Sequence, residues 1–446
     1  MTLLLRLFQN YASLFVSKVT LLSLFFCLSG SVYADELEIT RRKAEQGDAE
    51  AQRNLGLYYR NGQGLPRDDK EAVKWFRLAA EQGHADSQGR LGWMYAEAIG
   101  IPQNYKEALK WYRLAAEQGH TDAQRNLGVM YADGVGVQQN YKEAIKWYRL
   151  AAEQGDQDAQ CNLGVAYRNG QGVPIDYSEA LKWSRLAAAQ GNSIAQGHLG
   201  LMYRNGEGVP QDYKEALKWF RIAAERGNGA AQSLLATMYF EGKDGVLKDI
   251  DEALKWFRSA AIQNNSNAQL FLGLMYSKGE GVQQDNNEAA RWFYLAAAQG
   301  NADAQYHLGW VYADGKGVQQ SDKESVNWFR RAAEQGHASA QSILGTAYFT
   351  GIGVPRNDTE SLKWSLRAAE QGHADAQFHL GVVYAKGIGV QQDYVHAYAW
   401  FHLSSAKGNK TATEQLNLIR PKMTPSQIEK SQQLSREYAK KAGKTL

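Results

Sequence analysis

From residue 51 onward, alanine, leucine and tyrosine fall at four-residue intervals, as in Ala51, Leu55 and Tyr59. Residues at i, i+4 and i+8 share one stripe of an α-helix, so the pattern predicts a helix with one apolar face. A second apolar set follows, Ala72, Trp75, Ala79 and Ala80, again on one helical face. The pair then returns along nearly the whole chain. Tryptophan marks each return, at Trp75, Trp111, Trp147, Trp183, Trp219, Trp256, Trp292, Trp328, Trp364 and Trp400, with a spacing of 36 residues except for 37 between Trp219 and Trp256. A fixed period of this length means a stack of like helix-turn-helix units, each burying its apolar face against its neighbours. The tryptophans are expected to fill the cores between units.

The polar positions agree with this division. Before each second helix stands a short polar residue followed three positions later by glutamate: Asp68, Asn104, Asn140, Asp176, Asp212, Asp249, Asp285, Ser321 and Asn357. That spacing resembles a capping box, in which the glutamate reaches back to the backbone of the cap residue. The tenth unit departs from it, with His396 three residues after Asp393. Gly83 and its counterparts are placed to end the second helix in a left-handed conformation, and Asp48, His84, Asn192 or Asn301 to cap the next first helix. Gly56 and its counterparts interrupt the first helix. A glycine there costs about 1 kcal/mol against alanine, so its recurrence predicts close helix contact.

Taken together, A-x-x-x-L-G-x-x-Y (Ala123, Leu127, Gly128, Tyr131), G-x-G-V (Gly134, Gly136, Val137), A-x-x-W (Ala144, Trp147) and A-A-x-Q-G (Ala151, Ala152, Gln154, Gly155) resemble the Sel1-like repeat family. The resemblance implies an all-α fold, a right-handed superhelical α-solenoid of about ten 36-residue helix-turn-helix repeats with terminal capping helices. It also implies a scaffold or adaptor that holds protein partners. Departures are Ala98 for a loop glycine, Ala236 for the helix glycine, and one extra residue near Lys243 and Asp244.

The expected organisation is a signal peptide over 1–34, a capping half-repeat over 35–50, ten repeats over 51–411 and capping helices over 412–446. Arg6 and Lys18, the apolar run from Val19 to Leu28, and Val32-Tyr33-Ala34 fit a cleavable export signal. The apolar run is too short to span a bilayer, so no membrane span is expected after cleavage. Cleavage removes Cys27 and leaves Cys161 as the sole cysteine. It could then pair only with another chain.

Net charge is +3, and removing Arg6 and Lys18 leaves +1. Nucleic-acid binders are usually far more basic, so none is expected as a partner. The nine histidines sit at repeat-locked places, so neither a metal site nor a cofactor is expected. The motifs H-E-x-x-H, G-x-S-x-G, C-x-x-C and G-K-[ST] are absent from the sequence. Catalysis needs a unique constellation, whereas nearly every polar residue here has copies, so the chain reads as no enzyme.

A partner surface is expected on the first helices. With the A-Q alanine at 0°, offsets +2, +6 and +9 fall at about 200°, 240° and 180°, opposite Leu and Tyr. In a tetratricopeptide-like solenoid that face lines the concave groove. Its occupants vary: Arg53, Arg60, Trp93, Arg125, Arg168 and Arg204 early, then Phe240, Tyr306, Trp310, Phe349 and Phe378. Binding hot spots favour arginine and aromatic residues. A bland alternative stands beside this, that these side chains merely pack neighbouring first helices together. The expected function is a protein- or peptide-binding scaffold in the bacterial envelope or secreted. The alternative is a cell-wall (peptidoglycan)-associated factor or a β-lactam-interacting enzyme, although this chain lacks the cysteine pair in each repeat that marks the cysteine-rich subgroup.

Overall fold

The computed structural model describes residues 35–243 and 245–443. The expected signal segment, 1–34, lies outside them, as does Asp244. Among the described residues all regular structure is helical. The chain divides into two compact units, Met1–Trp219 and Phe220–Leu446. Each is an α-solenoid built from helix pairs.

In the first unit, helical residues 35–45 (α1) precede α2 (Ala49–Asn61), α3 (Asp69–Glu81), α4 (Ala85–Ala96), α5 (Tyr105–Glu117), α6 (Thr121–Asp133), α7 (Tyr141–Glu153), α8 (Gln157–Asn169), α9 (Tyr177–Ala189) and α10 (Ser193–Asn205). The next helix, α11 (Tyr213–Glu225), contains the boundary between the units. The second unit continues with α12 (Gly229–Glu241), α13 (Ile250–Ile262), α14 (Ser266–Lys278), α15 (Asn286–Ala298), α16 (Ala302–Asp314), α17 (Asp322–Glu334), α18 (Ala338–Thr350), α19 (Asp358–Glu370), α20 (Ala374–Lys386) and α21 (Tyr394–Ala406). It closes with α22 (Lys410–Ile419), a single 3-10 turn at Arg420–Lys422, and α23 (Pro425–Ala442). From α2 to α10 and from α12 to α22, each first helix packs on the second helix of its own pair, or on the second helix before it, so that consecutive helices stay in contact.

The recurrent glycine sets the closeness of the pairs. A Cβ added at Gly309 would stand 2.6 Å from the Phe329 ring, and one at Gly128 2.6 Å from Tyr148. At both places an aromatic side chain of the second helix lies against the bare backbone of the first. The predicted left-handed positions hold too. Gly83 has φ +90°, and His84 then accepts the Ser87 N–H to cap α4. Where glycine is replaced, Ala98 and Asn264 still take positive φ, so the loop geometry is imposed by the repeat rather than by glycine.

The capping box is only half formed. Asp68 accepts the N–H groups of Lys70 and Glu71, as expected. Its own N–H is already taken by the Tyr59 carbonyl at 2.9 Å. The same tie joins Asn104 to Tyr95, Asn140 to Tyr131, Asp249 to Tyr239 and Asp393 to Tyr384, so the glutamate has no backbone donor to reach back to. Glu179, Glu252 and Glu360 instead accept the indole N–H of Trp183, Trp256 and Trp364, four residues on. In unit six the loop is one residue longer, yet Asp249 keeps its bond to Tyr239. A complete box forms at Thr424 and Gln427, opening α23.

The A-Q pair has a clear physical role. Gln124 Nε2 donates to the Ala116 carbonyl at 3.1 Å, closing the C-terminus of α5, while its Oε1 accepts from Gln154 at 2.7 Å. Gln52, Gln88, Gln160, Gln269, Gln305 and Gln341 repeat the arrangement. Each is buried, so a ladder of paired amides runs inside each unit. Its last rung differs: Lys407 replaces the donor glutamine and binds the Gly372 carbonyl, leaving Gln377 Oε1 without a partner. The tryptophan ladder is mostly core, as expected, with Trp111, Trp147, Trp183, Trp256, Trp328, Trp364 and Trp400 buried. Trp400 is covered by Tyr438 of α23, ring on ring at 4.0 Å.

Candidate partner-binding surface

The helices place all eleven stripe residues on the first helices of their repeats, but they do not all face solvent. The arginines are held by carboxylates one repeat further on. Arg53 Nε lies 2.6 Å from Asp86, Arg125 2.7 Å from Asp156, and Arg168 forks onto Glu207 at 2.5 and 3.2 Å. Arg60 lies over the Trp93 ring at 5.2 Å and 3.5 Å from Asp69. Arg204 turns to Asn205 at 3.4 Å. In the first unit the stripe thus ties repeats together, and its cations are largely neutralised by neighbours.

Several aromatic residues also pack rather than project. Phe240 sits edge-on to Phe257 and Phe271, at 6.2 and 5.6 Å, beneath Lys248. Phe349 meets His379 at 5.0 Å, and Phe378 meets Phe401 at 5.7 Å. Tyr306 stacks on His337 at 4.6 Å. The two tryptophans off the ladder differ from these: Trp93 is 37% exposed and Trp310 43%. An exposed indole offers a large apolar surface with one polar N–H.

Around Trp310 the second unit opens. A groove of about 520 Å³ lies against Tyr306 and Trp310 of α16, Phe329 of α17, and Ser342, Ile343, Thr346 and Thr350 of α18. Its cause is a change of side-chain size at fixed offsets. At +2 and +6, repeat eight has Tyr306 and Trp310, while repeat nine has Ser342 and Thr346. Large residues make a wall, and the small ones beside them leave the floor low. Ile352, 55% exposed, adds apolar surface at one side. Asp322 and Asp375 stand at the margins. On the other side of Trp310 lies a smaller depression of about 280 Å³, lined by Phe293, His307 and Lys316.

Thr346 and Thr350 turn their hydroxyls onto carbonyls of their own helix, at 3.1 and 3.0 Å. Burial holds His307, His373 and His379 below the usual histidine range, which favours the neutral ring at neutral pH. His373 departs from the other histidine caps: it makes no side-chain cap bond, and its Nδ1 is sealed without a partner. Cys161 is 4% exposed, and burial pushes its thiol up to about 12. A thiol so placed is a core side chain, ill-suited to linking two chains. Among the described residues no cluster of three or more His, Cys, Asp or Glu could hold a metal ion, and no helix is long and apolar enough to cross a membrane.

The groove floor was not legible as a site in the sequence. Reading the stripe for large residues finds Tyr306 and Trp310 but passes over Ser342 and Thr346. The available signal was the juxtaposition of a large pair and a small pair at the same offsets in adjacent repeats.

The Sel1 repeat model matches ten consecutive segments, 49–84, 85–120, 121–156, 157–192, 193–228, 229–265, 266–301, 302–337, 338–373 and 374–409. The chain belongs to the Sel1 repeat family. Members of this family generally act as protein-interaction scaffolds. Two solved structures are similar along much of their length. One is a protective antigen present in uropathogenic Escherichia coli strains, 38% identical, covering 91% of this chain and 95% of that one, with a TM-score of 0.55. The other is a Sel1 repeat protein from Oxalobacter formigenes, 37% identical, covering 70% and 90%, with a TM-score of 0.52. No curated protein matches the chain in sequence.

Proposed function

We propose that this Sel1 repeat protein is an exported, non-enzymatic scaffold that grips a protein or peptide partner in the second unit, through the groove beside Trp310. The observation that carries the reading is the exposure of Trp310 between two depressions of about 520 and 280 Å³. Interface energy concentrates in a few buried aromatic anchors and the pockets that surround them. The first unit contributes mainly a rigid frame, since its stripe arginines are tied to Asp86, Asp156 and Glu207. Trp93 is a second, smaller contact point there.

Export is supported by Arg6, Lys18 and the apolar run that ends before Val32-Tyr33-Ala34. The Escherichia coli relative is a protective antigen, which supports the same reading. The test is recovery of partners from the producing cell by the wild-type chain and by Thr346→Trp, which fills the groove with a bulky ring at an exposed position. Loss of a partner with the variant supports the groove. An unchanged set of recovered proteins removes it. N-terminal sequencing of the recovered chain should begin at Asp35, and a chain that retains residues 1–34 would contradict cleavage.

A further inference from the structure

The two acidic residues at the margins of the groove differ from their counterparts in other repeats. Asp322 opens α17 as Asp69 opens α3 and Asp358 opens α19. Asp69 is held by Arg67 at 2.9 Å and Asp358 by Arg356 at 3.0 Å, in each case from two residues upstream. The residue two upstream of Asp322 is Gln320, whose amide binds the Ala313 carbonyl. Asp375, near the start of α20, corresponds to Asp86, Asp122 and Asp303. Asp86 is gripped by Arg53 and Arg90, Asp122 lies 3.2 Å from Arg125, and Asp303 lies 3.4 Å from His337. The counterparts of those partners around Asp375 are Ser342, Phe378, His379 and Asn409; the His379 ring is turned to Ser365, with Nδ1 2.8 Å from its hydroxyl, and burial holds it below the usual histidine range. Among the described residues neither Asp322 nor Asp375 has an ion-pair partner, and no Lys or Arg lines the groove.

The same groove therefore combines an apolar wall and floor with two carboxylates whose usual cation is missing. We propose that it takes a short peptide segment of a partner protein in which an apolar side chain is flanked on both sides by Lys or Arg. The apolar side chain lies against Trp310 and Ile343, and the flanking cations replace the arginines that Asp322 and Asp375 lack. The inference rests on the groove reading above and adds the chemistry of the partner. Potentials complementary in this way favour the right partner and repel acidic ones. Histidine does not supply the missing charge, because burial keeps His373 below its ordinary range.

The experiment is fluorescence anisotropy of three labelled peptides against the purified full chain. The first has a Phe-Leu centre with Arg-Lys on both sides, the second has the same centre between glutamates, and the third has a serine centre between the same cations. The first should bind best. Asp322→Asn and Asp375→Asn should each weaken it roughly two- to fivefold, as for exposed charge pairs, and should flatten its dependence on salt. Thr346→Trp should abolish it, while helical circular dichroism shows each variant folded. Equal binding of the glutamate peptide, or no effect of the two asparagine variants, overturns the charge inference and leaves the groove standing. Binding of the first peptide that is indifferent to Thr346→Trp, or equal binding of the serine peptide, overturns the groove as the seat of binding.

Discussion

Replacing Gln124 and Gln377 by leucine should shift local stability in different directions, although both residues are buried and occupy equivalent places. Gln124 makes two bonds: Nε2 to the Ala116 carbonyl at 3.1 Å, and Oε1 from Gln154 at 2.7 Å. After Gln124→Leu, the Ala116 carbonyl keeps the Gly119 N–H at 3.0 Å, and the Gln154 amide keeps Gly119 O at 3.2 Å. The loss is then two net bonds without a stranded partner, about 1–3 kcal/mol at about 0.5–1.5 each. Gln377 makes one bond, to Ala369 O at 3.2 Å, and its Oε1 is already unpartnered. Gln377→Leu loses that bond but removes a buried orphan worth about 1–3 kcal/mol. Its net effect should lie between neutral and mildly stabilising. The leucine's own burial is alike at both sites and cancels in the comparison. A long repeat array lacks a single two-state unfolding energy, so the readout is hydrogen exchange of peptides from α5–α6 and from α19–α20. Gln124→Leu should speed exchange in the first pair several-fold to a hundredfold, and Gln377→Leu should leave the second unchanged or slower. Equal acceleration at both sites would refute the claim that the amide ladder, rather than each glutamine's single bond to a carbonyl, holds consecutive repeats together.

The remaining predictions use other parts of the frame. Gly309→Ala should destabilise α16–α17 by about 1–3 kcal/mol, because its Cβ meets the Phe329 ring at 2.6 Å. By contrast, Gly197→Ala meets nothing within 4 Å and should stabilise α10 by up to about 1 kcal/mol; hydrogen exchange of peptides from α16–α17 and from α10 compares them, and equal changes would discount the close approach. Burial, with Arg168 nearby, lowers the His198 pKa from 6.5 to about 4. The unfolded chain then binds the extra proton first as pH falls, so stability is lost between pH 6.5 and 4 and is fully present above that window. His198→Gln should flatten this part of a pH-dependent melting series, and an unaltered slope would exclude the histidine as its source. Cys161 should resist alkylation at neutral pH in the folded chain and react once urea is added; rapid labelling of the native chain would show that the thiol is accessible.

How much could be read from sequence depended on how far apart the interacting residues lie. The helix pairs, the glycine turns and the N-caps are set by residues within a few positions of one another, and they fold as their spacing predicts. The capping box failed because the Asp68 N–H is claimed by Tyr59 from the preceding helix, a contact between elements. The sequence places the arginines on one face of the first helices, but their partners are distant: the Arg53–Asp86 and Arg168–Glu207 pairs join residues 33 and 39 positions apart. Periodicity alone shows which face a residue occupies and not which charge it meets there. The aromatic part of the stripe separated in the same way: Phe240 turned into a ring cluster, while Trp93 and Trp310 remained exposed. The groove itself depends on Ser342 and Thr346 being small, which gains meaning only beside Tyr306 and Trp310.

The central claim, that a partner is held in the groove of the second unit, is tested most directly by photo-crosslinking in the producing cell. A photoreactive residue is placed at Thr346 in one chain and at Ile175, an exposed position of the first unit, in another. The account predicts a discrete adduct from position 346 that disappears when Trp310→Ala is added, and none of that size from position 175. The same adduct from both positions, or an adduct from 346 that persists without Trp310, would contradict it.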